Sequence, residues 1–270
     1  MDLSAYLARI GHSGPVRPDL ATLRAVHRAH LLAIPYENLD VQLGRPGSVD
    51  PHAAFEKIVA GGRGGWCYEM NGTLGLALQA IGFQVTRMAG AVMREVHGAR
   101  TLGNHLVLRI DLENGPWIAD VGFGDGIIEP TPLAPGAFSM RGYDFRLEQL
   151  DAQWWRFHNH PMGGAAYFDF VSGPADPAQL AATCHWLRTS PESIFTQSVM
   201  AFRHRPDGIV ALLGRVLRRV HPDRKEDTLL TSAEAFTEAL RTEFGLDVPE
   251  AAGLWPKVCA KHDELFAQGS

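Results

Sequence analysis

Arg63-Gly64-Gly65-Trp66-Cys67-Tyr68-Glu69-Met70-Asn71 joins a glycine turn to a helix start. Leu74, Leu78 and Ile81 then recur at helical spacing and Gly82 supplies a stop, so the pattern predicts a helix opening near Cys67. The first N–H groups of a helix lack internal partners, and the macrodipole is positive at that end. A thiol placed there is expected to ionise more readily than a free one. The two glycines are expected to keep side chains out of a substrate's path. The stretch reads as a nucleophile presented on a rigid support.

Outward from it, the chain changes period. Residues 1–82 read as helices: Leu3, Tyr6, Leu7 and Ile10 keep a helical spacing, Asp19 can cap a second helix, and Asp50-Pro51 opens a third. Pro35-Tyr36-Glu37-Asn38-Leu39-Asp40 lies between the second and third helices and reads as a polar loop too charged for a core. From Phe83 the period becomes two, predicting strands over 84–94, 105–111, 117–121, 143–147, 154–158 and 167–170. Asn114-Gly115 is a turn signal between the second and third of these. Beyond Asp176-Pro177 the tail is mixed: a helix through Leu180, Cys184 and Leu187, then a hairpin at Pro206-Asp207-Gly208. A helix through Phe236, Leu240 and Phe244 follows, and a last helical piece carries Leu254, Val258 and Leu265. Helices, then strands forming a small barrel or curled sheet, then a mixed tail make an α+β fold.

Composition excludes several functions. Hydrophobic residues are 46% and charged residues 20% of 270, as in a globular enzyme rather than a disordered chain. The net charge is −5 with no basic run, which argues against nucleic acid as a partner. No apolar run reaches the roughly 18 residues of a membrane span, and the start shows no secretion signal. Cys67, Cys184 and Cys259 are odd in number and far apart, which points away from a disulfide framework and toward a cytoplasmic setting. Cys184 and Cys259 lie on apolar helical stripes and read as core.

A catalytic cysteine needs a base and a group to orient that base. His105, heading an apolar strand, is the candidate base, and Asp120, ending another, is the candidate orienter. A strict two-residue turn at Asn114-Gly115 would hold His105 and Asp120 roughly 13 Å apart, too far to bond. The triad then demands a longer loop, a bulge, or position 105 opposite 120. Gly122-Phe123-Gly124-Asp125-Gly126 follows a hairpin strand and opens no clear helix, so a dinucleotide site is not indicated. His158-Asn159-His160 resembles half a metal site without partners and reads as an exposed loop, so no metal is expected. Arg63 and Glu37 could pair to brace the turn at Cys67, or stand as two solvated charges.

Taken together, the cysteine stretch, His105, Asp120-Val121-Gly122-Phe123-Gly124 and Ile34-Pro35-Tyr36-Glu37-Asn38-Leu39-Asp40 resemble the arylamine N-acetyltransferase family, in order and spacing, to about residue 205. Tyr36 stands where that family usually has Phe, and Trp66 where Tyr or Phe is usual. The resemblance implies a helical bundle (1–82), a β-barrel (83–188) and an α/β lid (189–270), the first two forming a cysteine-protease-like core. It implies acetyl-coenzyme A as acyl-donor cosubstrate and an aromatic amine or aryl hydrazine as acceptor, with Cys67, His105 and Asp120 as the triad. Tyr36, Val92, Phe123 and Phe202 would line the aryl site. Gly124 and Gly126 would let the coenzyme's pantetheine arm pass close to the backbone. The same triad would also serve a thiol hydrolase, and the oligomeric state is left open.

Overall fold

The computed structural model describes residues 1–267, with side chains to residue 264; the expected Leu265 contact lies outside them. Helices Leu3–Arg9, Leu20–Ala33 and Cys67–Ile81 form the N-terminal bundle, joined by Pro51–Phe55, which runs on into a π-helical turn, Glu56–Ala60. Asp2, Asp19 and Asp50 each accept a backbone N–H of the first turn, satisfying donors that have no intrahelical partner. Gly82, at φ +110°, ends the Cys67 helix in the left-handed conformation that favours glycine. Tyr6, Leu23, Val26, Leu74 and Leu78 pack together and against Leu108 and Ile110 of the sheet behind them. Each such side chain contributes about 1.5–3 kcal/mol by leaving water.

The strands form an eight-stranded antiparallel sheet. From one edge to the other it runs 131–132, 115–119, 105–112, 84–92, 167–171, 154–158, 143–149 and 136–140. Residues 133–135 alone connect the two edge strands. A link of that length reaches at most about 14 Å, whereas flat strands would hold the edges of such a sheet roughly 34 Å apart. The sheet therefore curls until its edges approach, although no ladder closes it among the described residues. Phe145, Phe157, Phe168 and Phe170 fill the concave interior with Met88 and Val107.

A second sheet, of five strands, orders 36–37, 200–205, 208–213, 216–220 and 225–229. Helices Ala233–Phe244 and Trp255–Ala267 belong to the same unit, and Phe236, Leu240 and Phe244 form its core with Leu212 and Ala201. The fold is α+β, as the sequence predicts.

Three local expectations are corrected. Tyr36, Glu37, Asn38 and Leu39 are buried, and Tyr36–Glu37 is the edge strand of the five-stranded sheet, paired with 201–202. The charges do not exclude this stretch from the core, because Glu37 is met there by Arg63 at 2.7 Å and Lys57 at 3.8 Å. The strand expected over 84–94 stops at Val92, where Met93 turns left-handed at φ +53°. The hairpin turn is Glu113-Asn114, with Leu112 opposite Gly115, so Gly115 begins the strand instead of making the turn.

Candidate active site

Cys67 is the first residue of its helix, as the glycine turn predicts. The glycines serve the chain itself rather than a substrate. A Cβ on Gly64 would lie 2.2 Å from the carbonyl oxygen of Pro35, and one on Gly65 would lie 2.7 Å from Cβ of Glu69. Their absence lets the turn lie against the 36–37 strand, where the Glu37 N–H donates to the Gly65 carbonyl at 2.9 Å. Glu69 reaches back to accept the Trp66 N–H at 3.2 Å, and its other contact is Lys57 Nζ at 2.8 Å. Arg63 bonds Glu37 at 2.7 Å and Asp40 at 3.1 Å, so the brace forms and is not a pair of solvated charges. Paired and hydrogen-bonded, these charges are tolerable inside the fold; any one of them alone would not be.

The hairpin register resolves the distance problem without a bulge. With the turn at 113–114, strand pairing ends at Leu108 opposite Ala119, and the chain leaves the ladder at Asp120. Asp120 would nominally oppose Val107, which puts it on the same face as His105 and one diagonal away, within side-chain reach. His105 Nε2 and Asp120 Oδ2 are 2.7 Å apart, in a site where His105 is 2% and Asp120 3% exposed. Asp120 Oδ1 accepts from Asn71 Nδ2 and from the Gly122 N–H, both at 2.8 Å. Burial by itself would raise this carboxyl. The charge of His105 and the hydrogen bonds from His105, Asn71 and Gly122 outweigh burial and hold it below the usual carboxylate range. With Nε2 committed to Asp120, Nδ1 is the nitrogen left to take a proton.

Cys67 lies against the backbone on either side of His105. Its Sγ is 3.8 Å from the Asn104 carbonyl oxygen, and the Leu106 N–H is a hydrogen-bond partner on the other side. A Cβ at Gly122 would come within 2.7 Å of Cys67 Cα, so the loop after Asp120 lies directly on the cysteine. Burial works against the expected thiolate. Cys67 is 2% exposed, and burial pushes its thiol up, more strongly than the N–H groups of Leu106 and Tyr68 pull it down. A proton leaving this sulfur must pass to a neighbouring base.

Gly90, opposite His105 in the ladder, makes room for the imidazole: a Cβ there would lie 3.0 Å from Cβ of His105. The ring then packs against Phe168 at 4.7 Å and Phe123 at 5.4 Å between centroids. Phe123 and Val92 both pack on the aromatic interior of the curled sheet, while Tyr36 meets Phe202 edge-on at 5.8 Å. Gly124 lies against the Phe202 ring and Gly126 against Phe123, each closer than a Cβ would comfortably allow. A cleft of about 150 Å³ lies elsewhere, between residues 194–200 and the Trp255–Ala267 helix. None of the three candidate triad residues lines it.

His158-Asn159-His160 is not an exposed loop. His158 ends a strand, and Asn159 and His160 are buried, bonded to the Asp125 side chain and carbonyl at 3.0 and 2.9 Å. Cys184 is buried in the cluster that holds Cys67, whereas Cys259 is only half-buried. Two residues of the site have no assigned role in the sequence reading. Asn71, one helical turn after Cys67, also donates to the Leu106 carbonyl at 2.6 Å and accepts from the Val121 N–H at 2.9 Å. Its i, i+4 spacing from Cys67 is the signal that could have found it. His27 accepts the Asp120 N–H at 3.1 Å, and its place on the apolar stripe of Leu20–Ala33 conceals it.

A family model described as N-acetyltransferase matches residues 19–252. Over 270 aligned residues the chain is 33% identical to an arylamine N-acetyltransferase of Mycolicibacterium smegmatis, covering 94% of each sequence. The chain belongs to the arylamine N-acetyltransferase family. Solved structures of the family agree. The arylamine N-acetyltransferase of Salmonella typhimurium superposes with TM-score 0.84 at 32% identity, covering 96% of this chain and 98% of that one. The Mycobacterium marinum arylamine N-acetyltransferase, solved in complex with CoA, superposes with TM-score 0.86 at 29% identity, covering 97% and 99%. Among the described residues no helix is long and apolar enough to cross a membrane.

Proposed function

We propose that this family member moves an acetyl group from acetyl-coenzyme A to aromatic amines and aryl hydrazines through a thioester on Cys67. The observation that carries the proposal is the buried 2.7 Å bond between His105 and Asp120, with the Cys67 sulfur set against the backbone of Asn104 and Leu106, the two neighbours of His105 in the chain. Asp120 holds the Nε2–H tautomer, leaving the Nδ1 lone pair to take the thiol proton. Because burial opposes a lone thiolate, the proton moves within a neutral pair and no isolated charge is left in the core. Sulfur attacks the acetyl carbonyl, the carbon–sulfur bond to the coenzyme breaks, and the leaving thiolate takes the proton from His105. A neutral aromatic amine then attacks the Cys67 thioester. Its nitrogen gives a proton to His105, the amide departs, and the proton returns to Cys67.

Both thioesters have similar leaving groups, so the first transfer is nearly balanced, whereas forming the amide runs downhill. Cys67 is 2% exposed, so surrounding side chains shift to admit the donor. Tyr36, Phe123 and Phe202, with Val92, offer apolar and aromatic surface to an aryl ring, and Gly124 and Gly126 give the pantetheine arm a backbone without side chains. The proposal excludes a ternary complex. Initial rates measured against acetyl-coenzyme A at several amine concentrations should give parallel double-reciprocal lines; intersecting lines would overturn the covalent route.

A further inference from the structure

Helix Leu20–Ala33 presents His27, fully buried, to the base of the loop 120–128. Nε2 lies 3.1 Å from the Asp120 nitrogen and Nδ1 lies 3.0 Å from the Ile128 carbonyl oxygen. A backbone N–H only donates and a carbonyl only accepts, so the tautomer is fixed, with the lone pair on Nε2 and the proton on Nδ1. One neutral ring ties the two ends of this loop together. Between those ends lie Gly122, packed on Cys67, and Phe123, packed on His105. Ladder pairing has already stopped at Ala119, so the Asp120 N–H takes its partner from His27.

We propose that His27 is a positioning residue for the acyl transfer. Its acceptor nitrogen sets where Asp120 leaves the sheet and so aims the carboxylate at His105. The proposal rests on the triad reading above. Burial pushes His27 down to about 4, against the opposing pull of the Ile128 carbonyl, Asp120 and Glu129. The other titratable groups facing it are His30 and His204, with Arg24 and Arg28 beyond, both paired to Glu129. The ring therefore keeps its Nε2 lone pair throughout the neutral range.

The two bonds can be removed separately. His27→Gln keeps an acceptor near the Nε2 position, toward Asp120. His27→Asn keeps only a donor near Nδ1, toward Ile128, and His27→Leu keeps neither. The readout is the rate of Cys67 alkylation by iodoacetamide near pH 7, localised by peptide mapping, with a melting curve for each protein. His27→Gln should stay close to the wild-type rate. His27→Asn and His27→Leu should be roughly ten- to a hundredfold slower, the effect of orphaning one buried N–H at the site. A purely structural histidine predicts no such split, because the Gln and Asn variants each lose one buried bond. Equal rates for these two, whether fast or slow, would overturn the proposal, and this comparison stands if His27→Leu fails to fold. The same proteins are mixed with acetyl-coenzyme A. A wild type that alkylates readily but never takes up acetyl would refute the transferase reading and leave the role of His27 to the Gln–Asn comparison.

Discussion

Asp120 and Asp169 are both buried carboxylates of the curled sheet, yet they are satisfied in opposite ways. Asp169 is clamped by guanidinium groups: Arg156 donates from Nε at 2.6 Å and from a terminal nitrogen at 3.1 Å, and Arg94 donates from Nε at 2.7 Å. These arginines lie over Tyr167 and Trp154, and Arg156 also meets Glu95. A guanidinium does not give up its proton, so that cluster is fixed in charge and braces the strands. Asp120 is held by an imidazole, an amide and a backbone N–H. Of these, only the imidazole can take up a second proton, and in the proposed function it is the group that serves Cys67. The same side chain is locked in charge where its partners are permanent cations, whereas the proposed function makes Asp120 part of the chemistry through a partner that can change charge.

The sharpest way to break that contrast is to neutralise each carboxylate in turn. Asp120→Asn should lower kcat by about 10⁴, as loss of the orienting carboxylate does in serine-protease triads, while the melting temperature stays near wild type. Steady-state kinetics and a thermal melt decide it, and a tenfold effect would mean that Asp120 does not govern the imidazole. Asp169→Asn should do the reverse. It takes from Arg94 the carboxylate it donates to and leaves Arg156 with only Glu95, and should cost about 3 kcal/mol in urea unfolding, with kcat per folded molecule little changed.

Much of this organisation is legible in the sequence, and the failures share a cause. Period and caps suffice where a residue's role depends on its neighbours along the chain, as for the Cys67 helix, Asp19, Gly82 and the two-residue Pro206-Asp207 turn. They fail where the deciding partner is distant in sequence. Glu37 reads as surface because Arg63 and Lys57 are not beside it in the chain. His160 and Asn159 read as a loop because Asp125, which they bond, belongs to another segment. The helix end at Cys67 is visible in the pattern, whereas the burial that outweighs it depends on Leu106, Tyr36 and Met200 packing around it. The glycine of Asn114-Gly115 draws the turn one residue too far, and that single step governs whether Asp120 can reach His105.

Smaller effects refine the contrast between reactive and fixed charge. His27 is held down to about 4 and His204 to about 3, against an ordinary 6.5, in both cases chiefly by burial. The unfolded chain binds these protons first as pH falls. Stability is therefore fully present above about pH 6.5 and declines toward pH 4, by on the order of 3 kcal/mol for His27 alone. Urea unfolding across that window should show the slope, and His27→Leu should flatten it; an unchanged slope would remove His27 as its source. Gly124→Ala should have the smallest effect. It strains a backbone at φ +88° and brings a methyl to 3.0 Å from the Phe202 ring, for a loss of about 1 kcal/mol in the same assay.

The intact mass of the protein after mixing with acetyl-coenzyme A, before any amine is added, bears most directly on the covalent mechanism. The chain should gain one acetyl group, mapped to the Cys67 peptide, and lose it as amide when an aromatic amine is supplied. An unmodified chain that still makes the amide at full rate, or an acetyl group mapped to another residue, would contradict it.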